Sequence, residues 1–348
     1  MAQADRIASK QIDYWDFYNR QVNCLGVATQ KRLSKKTIAV VGMGGLGSHL
    51  LQSLAMIGLK KIHLIDGDIV ALHNLHRQPL YTLDDIDKPK AYCAKEFWEA
   101  RNPFTQFVAH NMFLDQDNID VLDGIDLMID GTDSNDCTML LNAHCVENQI
   151  PLIAGNVEQQ GGFAGVFAGH YKEEGCYACL FPEFPDHVRT CAEAGVDPRA
   201  VALIAQIQSD LAIETLLNPL QTAGKIIRFG SAGERFNQFK SPLNATCFVC
   251  SGVTKTIKEV EMNQDNDIKI VDDIPEGFQF IDVRTIEEFE DSPREALNIP
   301  LDQLANNPDA VPDGDMVICC ASGKRSLMAA QFLKEIGRKE TIYVLNQS

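Results

Sequence analysis

The residues Gly42-Met43-Gly44-Gly45-Leu46-Gly47 follow an apolar run at 37–41, and Asp66 stands at the end of the next apolar run. Glycine is required where the backbone must turn tightly and approach an anion with no Cβ in the way. A helix opening at such a turn offers free N–H groups and its positive dipole end to a phosphate. Asp66 then stands where a ribose hydroxyl would donate to it. No Gly-Lys-Ser/Thr follows the glycines, so this is not the P-loop of ordinary ATPases. The polar run Asn74-Leu75-His76-Arg77-Gln78 argues against a hydride carrier and for an ATP attacked at its α-phosphate.

Cys176-Tyr177-Ala178-Cys179 and Cys247-Phe248-Val249-Cys250 form two Cys-x-x-Cys pairs. Each pair can give two thiolates to one metal, and together they complete a closed four-sulfur zinc site, structural because no position is left for water. A thioredoxin-like redox motif would need only one such pair. Cys191 stands alone between the first pair and an apolar helix. A third arrangement, Cys320-Ala321-Ser322-Gly323-Lys324-Arg325-Ser326, lies between an apolar strand and a helix. There, backbone N–H groups and the charges of Lys324 and Arg325 would stabilise a thiolate.

These groups need elements to hold them. Short strands are expected at 37–41, 62–65, 107–111, 127–130 and 151–154, alternating with helices at 47–58, 89–101 and 135–148. That rhythm implies α/β architecture, a Rossmann-like and mainly parallel sheet. Residues 161–167 and the segment up to Cys176 read as antiparallel additions. Residues 5–34 read as helical, and a strongly apolar helix is expected over 200–217. After Cys250 the composition shifts, and 257–273 is rich in Lys, Glu, Asp and Asn, as a linker is. A smaller α/β domain follows, with strands at 280–284 and 316–319 and a helix at 326–336.

At 348 residues the chain suits two domains. A net charge of −17 leaves no broad cationic face for nucleic acid or an acidic membrane surface. Residues 1–10 are polar and charged, unlike a signal peptide, and no apolar run is expected to reach membrane-spanning length. A cytoplasmic protein with reduced thiols is expected.

The motifs Tyr18-Asn19-Arg20-Gln21, the glycine turn, Asp66-Gly67-Asp68, Asn74 to Gln78, Lys88-Pro89-Lys90 and Asp130-Gly131-Thr132-Asp133 occur in one order. Together, over roughly 10–252, they resemble the ThiF/MoeB/HesA family, relatives of ubiquitin-activating enzymes. The resemblance implies ATP-dependent adenylation of the C-terminal glycine of a small β-grasp sulfur-carrier protein ending in Gly-Gly. It places Gly42, Gly44, Gly45, Gly47, Asp66, Asp68, Asn74, Gln78 and Ser134 around the nucleotide. Arg77 and Lys90 would touch the phosphates, Asp133 would hold Mg²⁺, and Arg20 would reach in from the other subunit of a homodimer. A zinc site at the four cysteines also matches the family. Its members carry a cysteine near the place of Cys191, which in some of them bonds covalently to the carrier.

Ile281-Asp282-Val283-Arg284, Glu287-Glu288-Phe289 and the loop at Cys320 resemble a rhodanese-like domain. Four residues separate Cys320 from Arg325, the rhodanese spacing. Five separate Cys319 from Arg325, as in cysteine phosphatases, but Cys319 is expected to end a strand and point into the core. Asp291-Ser292-Pro293-Arg294-Glu295 replaces the usual Gly-His-Ile-Pro-Gly stretch. The Gly-Gly-x-x-x-Trp segment and last helix of that domain are absent from the sequence, leaving a short domain. The expected division is an adenylating domain over 1–256, a linker over 257–273 and a rhodanese-like domain over 274–348. The whole reads as a carrier-protein adenylyltransferase whose persulfide on Cys320 makes a thiocarboxylate for molybdopterin, thiamine or tRNA thiolation. Two other readings, an NAD-dependent dehydrogenase and a non-catalytic carrier-binding scaffold, leave Arg20, Arg77, Lys90 and the cysteine pairs idle or unexplained.

Overall fold

The computed structural model describes residues 12–171, 173–182, 195–230, 236–252, 268–321 and 323–346. Contacts gather into two compact units, Leu33–Val260 and Met1–Arg32 with Glu261–Ser348.

The described residues open on three short helices, α1 (Tyr14–Phe17), α2 (Asn19–Leu25) and α3 (Val27–Leu33), within the stretch 5–34 read as helical. The break has a local cause. Gly26 takes φ +82°, a left-handed value that suits glycine and ends α2. Asp13 caps α1 by accepting from the Asp16 N–H at 2.8 Å.

The first unit is built on an eight-stranded sheet. Its strands are β1 (Thr37–Val41), β2 (Lys61–Ile65), β3 (Gln106–His110), β4 (Leu127–Asp130), β5 (Leu152–Glu158), β6 (Gly161–Phe167), β7 (Lys225–Phe229) and β8 (Phe236–Lys240). They lie in the order β3-β2-β1-β4-β5-β6-β7-β8. Strands β1 to β5 pair in parallel, and β6 to β8 extend the sheet antiparallel. The parallel strands are mostly buried and rich in Val, Ile and Leu, as strands covered on both faces must be.

Helices cover both faces. The unit contains α4 (Gly45–Leu54), α5 (Lys90–Glu99), α6 (Asn135–Glu147), α7 (Tyr177–Leu180), α8 (Pro198–Leu217) and α9 (Pro219–Thr222). One face packs Leu50, Leu54, Trp98, Ile204 and Leu211 into the larger core, and the other packs Leu122, Leu141 and Cys145 against Met128 and Ile65. By length and composition α8 is apolar enough to cross a membrane, which corrects the expectation that no run is. Val201, Ile204, Ala205, Leu211 and Ala212 of this helix are buried in the core.

The order β3-β2-β1-β4-β5 reverses direction between β1 and β4. A crevice opens there beyond the carboxyl ends of the strands, the place where such sheets bind ligands.

The second unit holds a five-stranded parallel sheet in the order β11-β10-β12-β13-β9. The strands are β9 (Lys269–Val271), β10 (Gln279–Asp282), β11 (Leu297–Asn298), β12 (Met316–Cys319) and β13 (Ile342–Leu345). Strand β9 falls within the stretch read as a linker and forms the sheet edge beside β13. Helices α10 (Ile286–Asp291), α11 (Leu301–Asn306) and α12 (Lys324–Glu335) belong to the same unit. A capping box of Thr285 and Glu288 opens α10. In this unit the Lys31 ammonium stands 4.9 Å from the centroid of the Phe332 ring.

Candidate active site

The glycine turn joins β1 to α4 at the switch point. Gly42 takes φ +88°, and a Cβ there would meet the Gly131 carbonyl carbon at 2.8 Å. A Cβ on Gly47 would overlap the Gly42 carbonyl oxygen. The two loops that follow β1 and β4 therefore touch backbone to backbone, and only glycine allows it. Gly44 is the N-cap of α4 and contributes no side chain, so N–H groups of the first turn face outward. Above them lies a cavity of about 680 Å³ lined by Gly42, Gly44, Gly45, Asp66, Arg77, Lys90 and Asp133 among others.

Asp66 is fixed by two backbone donors. Its Oδ2 accepts from the Met43 N–H at 2.7 Å and its Oδ1 from the Asp68 N–H at 2.7 Å. Burial nevertheless raises its pKa, against the pull of Lys90 and those N–H donors. Lys90 is nearly buried at the N-terminus of α5, and its Nζ donates to Asp68 Oδ2 at 2.9 Å. The expected phosphate cation is thus held ready by Asp68, whose side chain is 57% exposed. An incoming phosphate would have to draw Lys90 away from that partner.

Arg77 is placed by a turn. A short 3₁₀ segment, Leu72–Asn74, is closed by Asn74 Oδ1 accepting from the Ala71 N–H at 3.0 Å. The half-buried Arg77 side chain donates to the His73 carbonyl at 2.8 Å. Gln78 is buried on the cavity wall and its Oε1 has no hydrogen-bond partner, an acceptor left over for a ligand donor. Asn74 also lines the cavity.

The opposite wall is the start of α6. Ser134 caps the helix by accepting from the Cys137 N–H at 3.3 Å, and exposed Asp133 precedes it. Asp133 and Ser134 both line the cavity. Beneath them Asp130 is wholly buried and accepts from the Thr132 N–H, the Thr132 hydroxyl and the Thr138 hydroxyl. Burial pushes its pKa up to about 6 despite those donors. Asp133 is an exposed carboxylate at the cavity edge, the donor type that Mg²⁺ prefers.

Sequence reasoning missed the supports of this site. The Gln208 side chain donates to the Asp130 carbonyl at 2.7 Å, and the Tyr81 hydroxyl donates to the Met43 carbonyl at 2.7 Å. A glutamine in the middle of an apolar helix was the available signal for Gln208. Nothing local marks Tyr81.

The four paired cysteines come together. Cys176 is the N-cap of α7 and Cys179 lies within it, and their sulfurs are 3.9 Å apart. Cys176 is 3.6 Å from Cys247, and Cys179 is 3.5 Å from Cys250. A tetrahedral zinc with Zn–S of about 2.3 Å sets its sulfurs about 3.8 Å apart. All four are buried. Burial pushes the Cys250 thiol up to about 11 and raises Cys176 as well. Four buried thiols so close cannot ionise together unless a cation compensates them. Asn142 donates to Cys176 Sγ at 3.5 Å and accepts from the Tyr177 N–H at 2.8 Å, tying the cluster to α6. The donor set fits zinc.

In the other unit Cys320 follows β12 directly. Its Sγ is buried, accepts from the Ser326 N–H at 3.4 Å and lies 3.5 Å from the Ser326 hydroxyl. Gly323, at φ +75°, turns the chain into α12. Arg325 forms two bonds to Glu288, at 2.7 and 2.8 Å, which hold the Glu288 carboxyl down at about 2. Cys319 ends β12 beside Asp282, and burial pushes its thiol up to about 12. Ser322 and the Lys324 side chain lie outside the described residues.

Arg20 is exposed on α2, in the unit that holds Cys320, and is not among the residues lining the cavity. Cys191, with its neighbour Arg189, lies outside the described residues.

A ThiF family model matches residues 18–249, and a rhodanese-like domain model matches residues 261–348. The adenylyltransferase and sulfurtransferase MOCS3 of Aedes aegypti is 28% identical, covering 93% of this chain and 82% of its own length. The sulfur carrier protein adenylyltransferase of Thermus thermophilus is 34% identical, covering 68% of this chain and 90% of its own. The molybdopterin-synthase adenylyltransferase of Salmonella typhimurium is 34% identical, covering 67% of this chain and 95% of its own. Among solved structures, E. coli MccB with ATP has a TM-score of 0.57 at 23% identity, covering 64% of this chain and 68% of that one. That last likeness is one of fold.

Proposed function

Because the chain belongs to the ThiF family and ends in a rhodanese-like domain, we propose that it activates a small sulfur-carrier protein with ATP and then loads it with sulfur. The carrying observation is that Arg77, Lys90 and Asp133 line the same cavity as the glycine turn and Asp66.

The reading gives each group a task. The N–H groups at the start of α4 and the Gly42–Gly45 backbone receive the phosphates, and Asp66 accepts from the ribose. Gln78 Oε1 and Asn74 orient the nucleotide. A carboxylate oxygen of the carrier's terminal glycine attacks the α-phosphorus, and the bond to pyrophosphate breaks. Negative charge grows on the phosphates in that step. Arg77, and Lys90 once drawn from Asp68, stabilise it. Mg²⁺ would be held by Asp133, where it would supply further neutralisation of the phosphate charge. Arg20 completes the site from the partner subunit of a homodimer.

Zinc would be held by Cys176, Cys179, Cys247 and Cys250, where it supplies a structural tie between the two cysteine pairs.

The adenylate is then open to a sulfur nucleophile. A persulfide on Cys320, charged by an external donor, attacks the carrier carbonyl and AMP leaves. A thiolate, with Cys191 the candidate in this chain, attacks the Cys320 sulfur of the acyl disulfide so formed. The S–S bond breaks, the carrier departs as a thiocarboxylate, and the Cys191–Cys320 disulfide left behind is reduced by an external dithiol. The Ser326 N–H, in the first turn of α12, donates to the Cys320 sulfur and fixes its position for attack. Such a product serves molybdopterin, thiamine or tRNA thiolation chemistry.

The test is pyrophosphate exchange into ATP with carriers ending in Gly-Gly and the same carriers lacking the last glycine. Exchange only with the intact carrier is expected. Exchange that ignores the carrier's terminus contradicts the reading.

A further inference from the structure

A second metal-binding arrangement lies in the ThiF unit, apart from both the nucleotide cavity and the four cysteines. Asp120, Asp123 and His144 each bring a ligand atom to within 4.8 Å of the others. The two acids are exposed, whereas His144 is only 7% exposed. Their positions are set by the fold. Asp120 sits on the 3₁₀ turn Ile119–Leu122, and Asp123 closes that turn. Ile119, Leu122 and Ile125 anchor the turn in the same core cluster that holds Leu141 and Cys145 of α6. His144 projects from the last turn of α6 between those two anchors.

The imidazole is the independent sign of a ligand. Its Nε2 is buried with no hydrogen-bond partner. The other nitrogen, Nδ1, is engaged by Asn148 Nδ2 at 3.3 Å. A buried ring nitrogen with nothing to bond costs free energy unless something enters to meet it. Neither carboxylate forms an ion pair with it among the described residues. Two donors about 2.1 Å from one ion stand roughly 3–4.2 Å apart. Small rotations of the exposed carboxylates therefore suffice to close the set.

The electrostatics point the same way. Two carboxylates meet an imidazole at the negative end of a helix, an arrangement that favours a cation. Two oxygens and one imidazole nitrogen suit a first-row divalent ion better than Ca²⁺. When Nε2 takes the metal, Nδ1 carries the proton, so its contact with Asn148 Nδ2 must open while that amide keeps its bond to the His144 carbonyl at 3.0 Å. We infer that Asp120, Asp123 and His144 form a binding site for a first-row divalent cation that pins the turn at 119–122 to the C-terminal end of α6. The start of that helix carries Ser134 and adjoins Asp133 at the nucleotide cavity.

The experiment uses the full chain with its cysteine site loaded with zinc and no nucleotide present. Mn²⁺ is the probe, because thiolates bind it poorly and its free ion is counted by its electron paramagnetic resonance signal. One Mn²⁺ per chain is expected to leave the free pool, and added Mn²⁺ should raise the melting temperature. Asp123→Asn, an exposed change, should weaken binding at least tenfold and abolish the thermal gain. His144→Gln should do the same, and Asp133→Asn should leave both intact. No Mn²⁺ binding by the wild type overturns the site. So does binding unchanged by Asp123→Asn, or binding lost with Asp133→Asn instead.

Discussion

At the residue scale, the cations of the cavity are already engaged before any phosphate arrives. Lys90 is held by Asp68, so its ammonium reaches the site without an isolated buried charge. Lys90→Ala leaves an exposed Asp68, which water can solvate, so the fold should survive. Its effect should fall on charge stabilisation in the adenylation step. Pyrophosphate exchange is expected to drop by roughly 100- to 1000-fold with the melting temperature little changed. An equal loss of exchange and of folded protein would remove that role.

Glu288 carries a pH prediction. Its folded pKa is held at about 2, first by the Arg325 hydrogen bonds, against about 4.3 in an unfolded chain. A depressed carboxyl stabilises the fold fully above the unfolded value and loses that contribution as pH falls through the folded one. The pair is partly exposed, so the effect is modest. Glu288→Gln should therefore lower the urea midpoint at pH 7 and converge on the wild type as the pH falls from about 4 toward 2. A gap that stays constant with pH means that the carboxyl charge is not what matters.

At the element scale, the β1–α4 junction depends on close backbone approach. Gly47→Ala puts a Cβ into the Gly42 carbonyl, so the turn must open. Loss of ATP binding, read by calorimetry, is the expected outcome, and tight binding by the variant would contradict the phosphate role of this turn. The four cysteines tie α7, which follows β6, to the segment after β8. Stripping zinc with a chelator, or making Cys247→Ser, should lower the melting temperature by roughly 5–15 °C. An unchanged melt with zinc removed would argue against a structural metal.

Much of this scale was legible in the sequence, for physical reasons. Strands β1, β2 and β4 are short buried apolar runs, and each is punctuated by glycine or a polar turn. The glycine turn, Asp66, Lys90 and Asp133 were found by their types and spacing, and the structure sets all of them on one cavity. The break at Gly26 was less visible, since helical periodicity runs on through it and only the left-handed φ reveals the corner. Strand β9 was hidden because it is three residues long, lies on a sheet edge, and sets its Ile270 and Val271 inside a stretch of charged residues. Gln208 and Tyr81 act across 78 and 38 residues of chain, distances that no local pattern encodes.

At the whole-molecule scale, the two successive reactions are assigned to separate units of the chain. The nucleotide cavity lies in Leu33–Val260, and Cys320 lies with the C-terminal sheet. Arg20 belongs to the second unit, and its proposed supply to the cavity of another copy has a direct test. Mixing Arg20→Ala and Asp133→Ala chains, each inactive, should restore part of the exchange activity through hybrid dimers. No recovery on mixing would take Arg20 out of the site. Cys320→Ala should abolish sulfur loading and spare pyrophosphate exchange.

The coupling of activation to sulfur delivery is tested most directly by the intact mass of the carrier. The wild-type chain, ATP, Mg²⁺, a persulfide donor and a Gly-Gly carrier are incubated together, and the carrier's terminus is read. The account predicts ATP-dependent replacement of one carboxylate oxygen by sulfur. With Cys320→Ala, pyrophosphate should still be released but the carrier should gain no sulfur. Sulfur incorporation without ATP, or undiminished incorporation with Cys320→Ala, would contradict it.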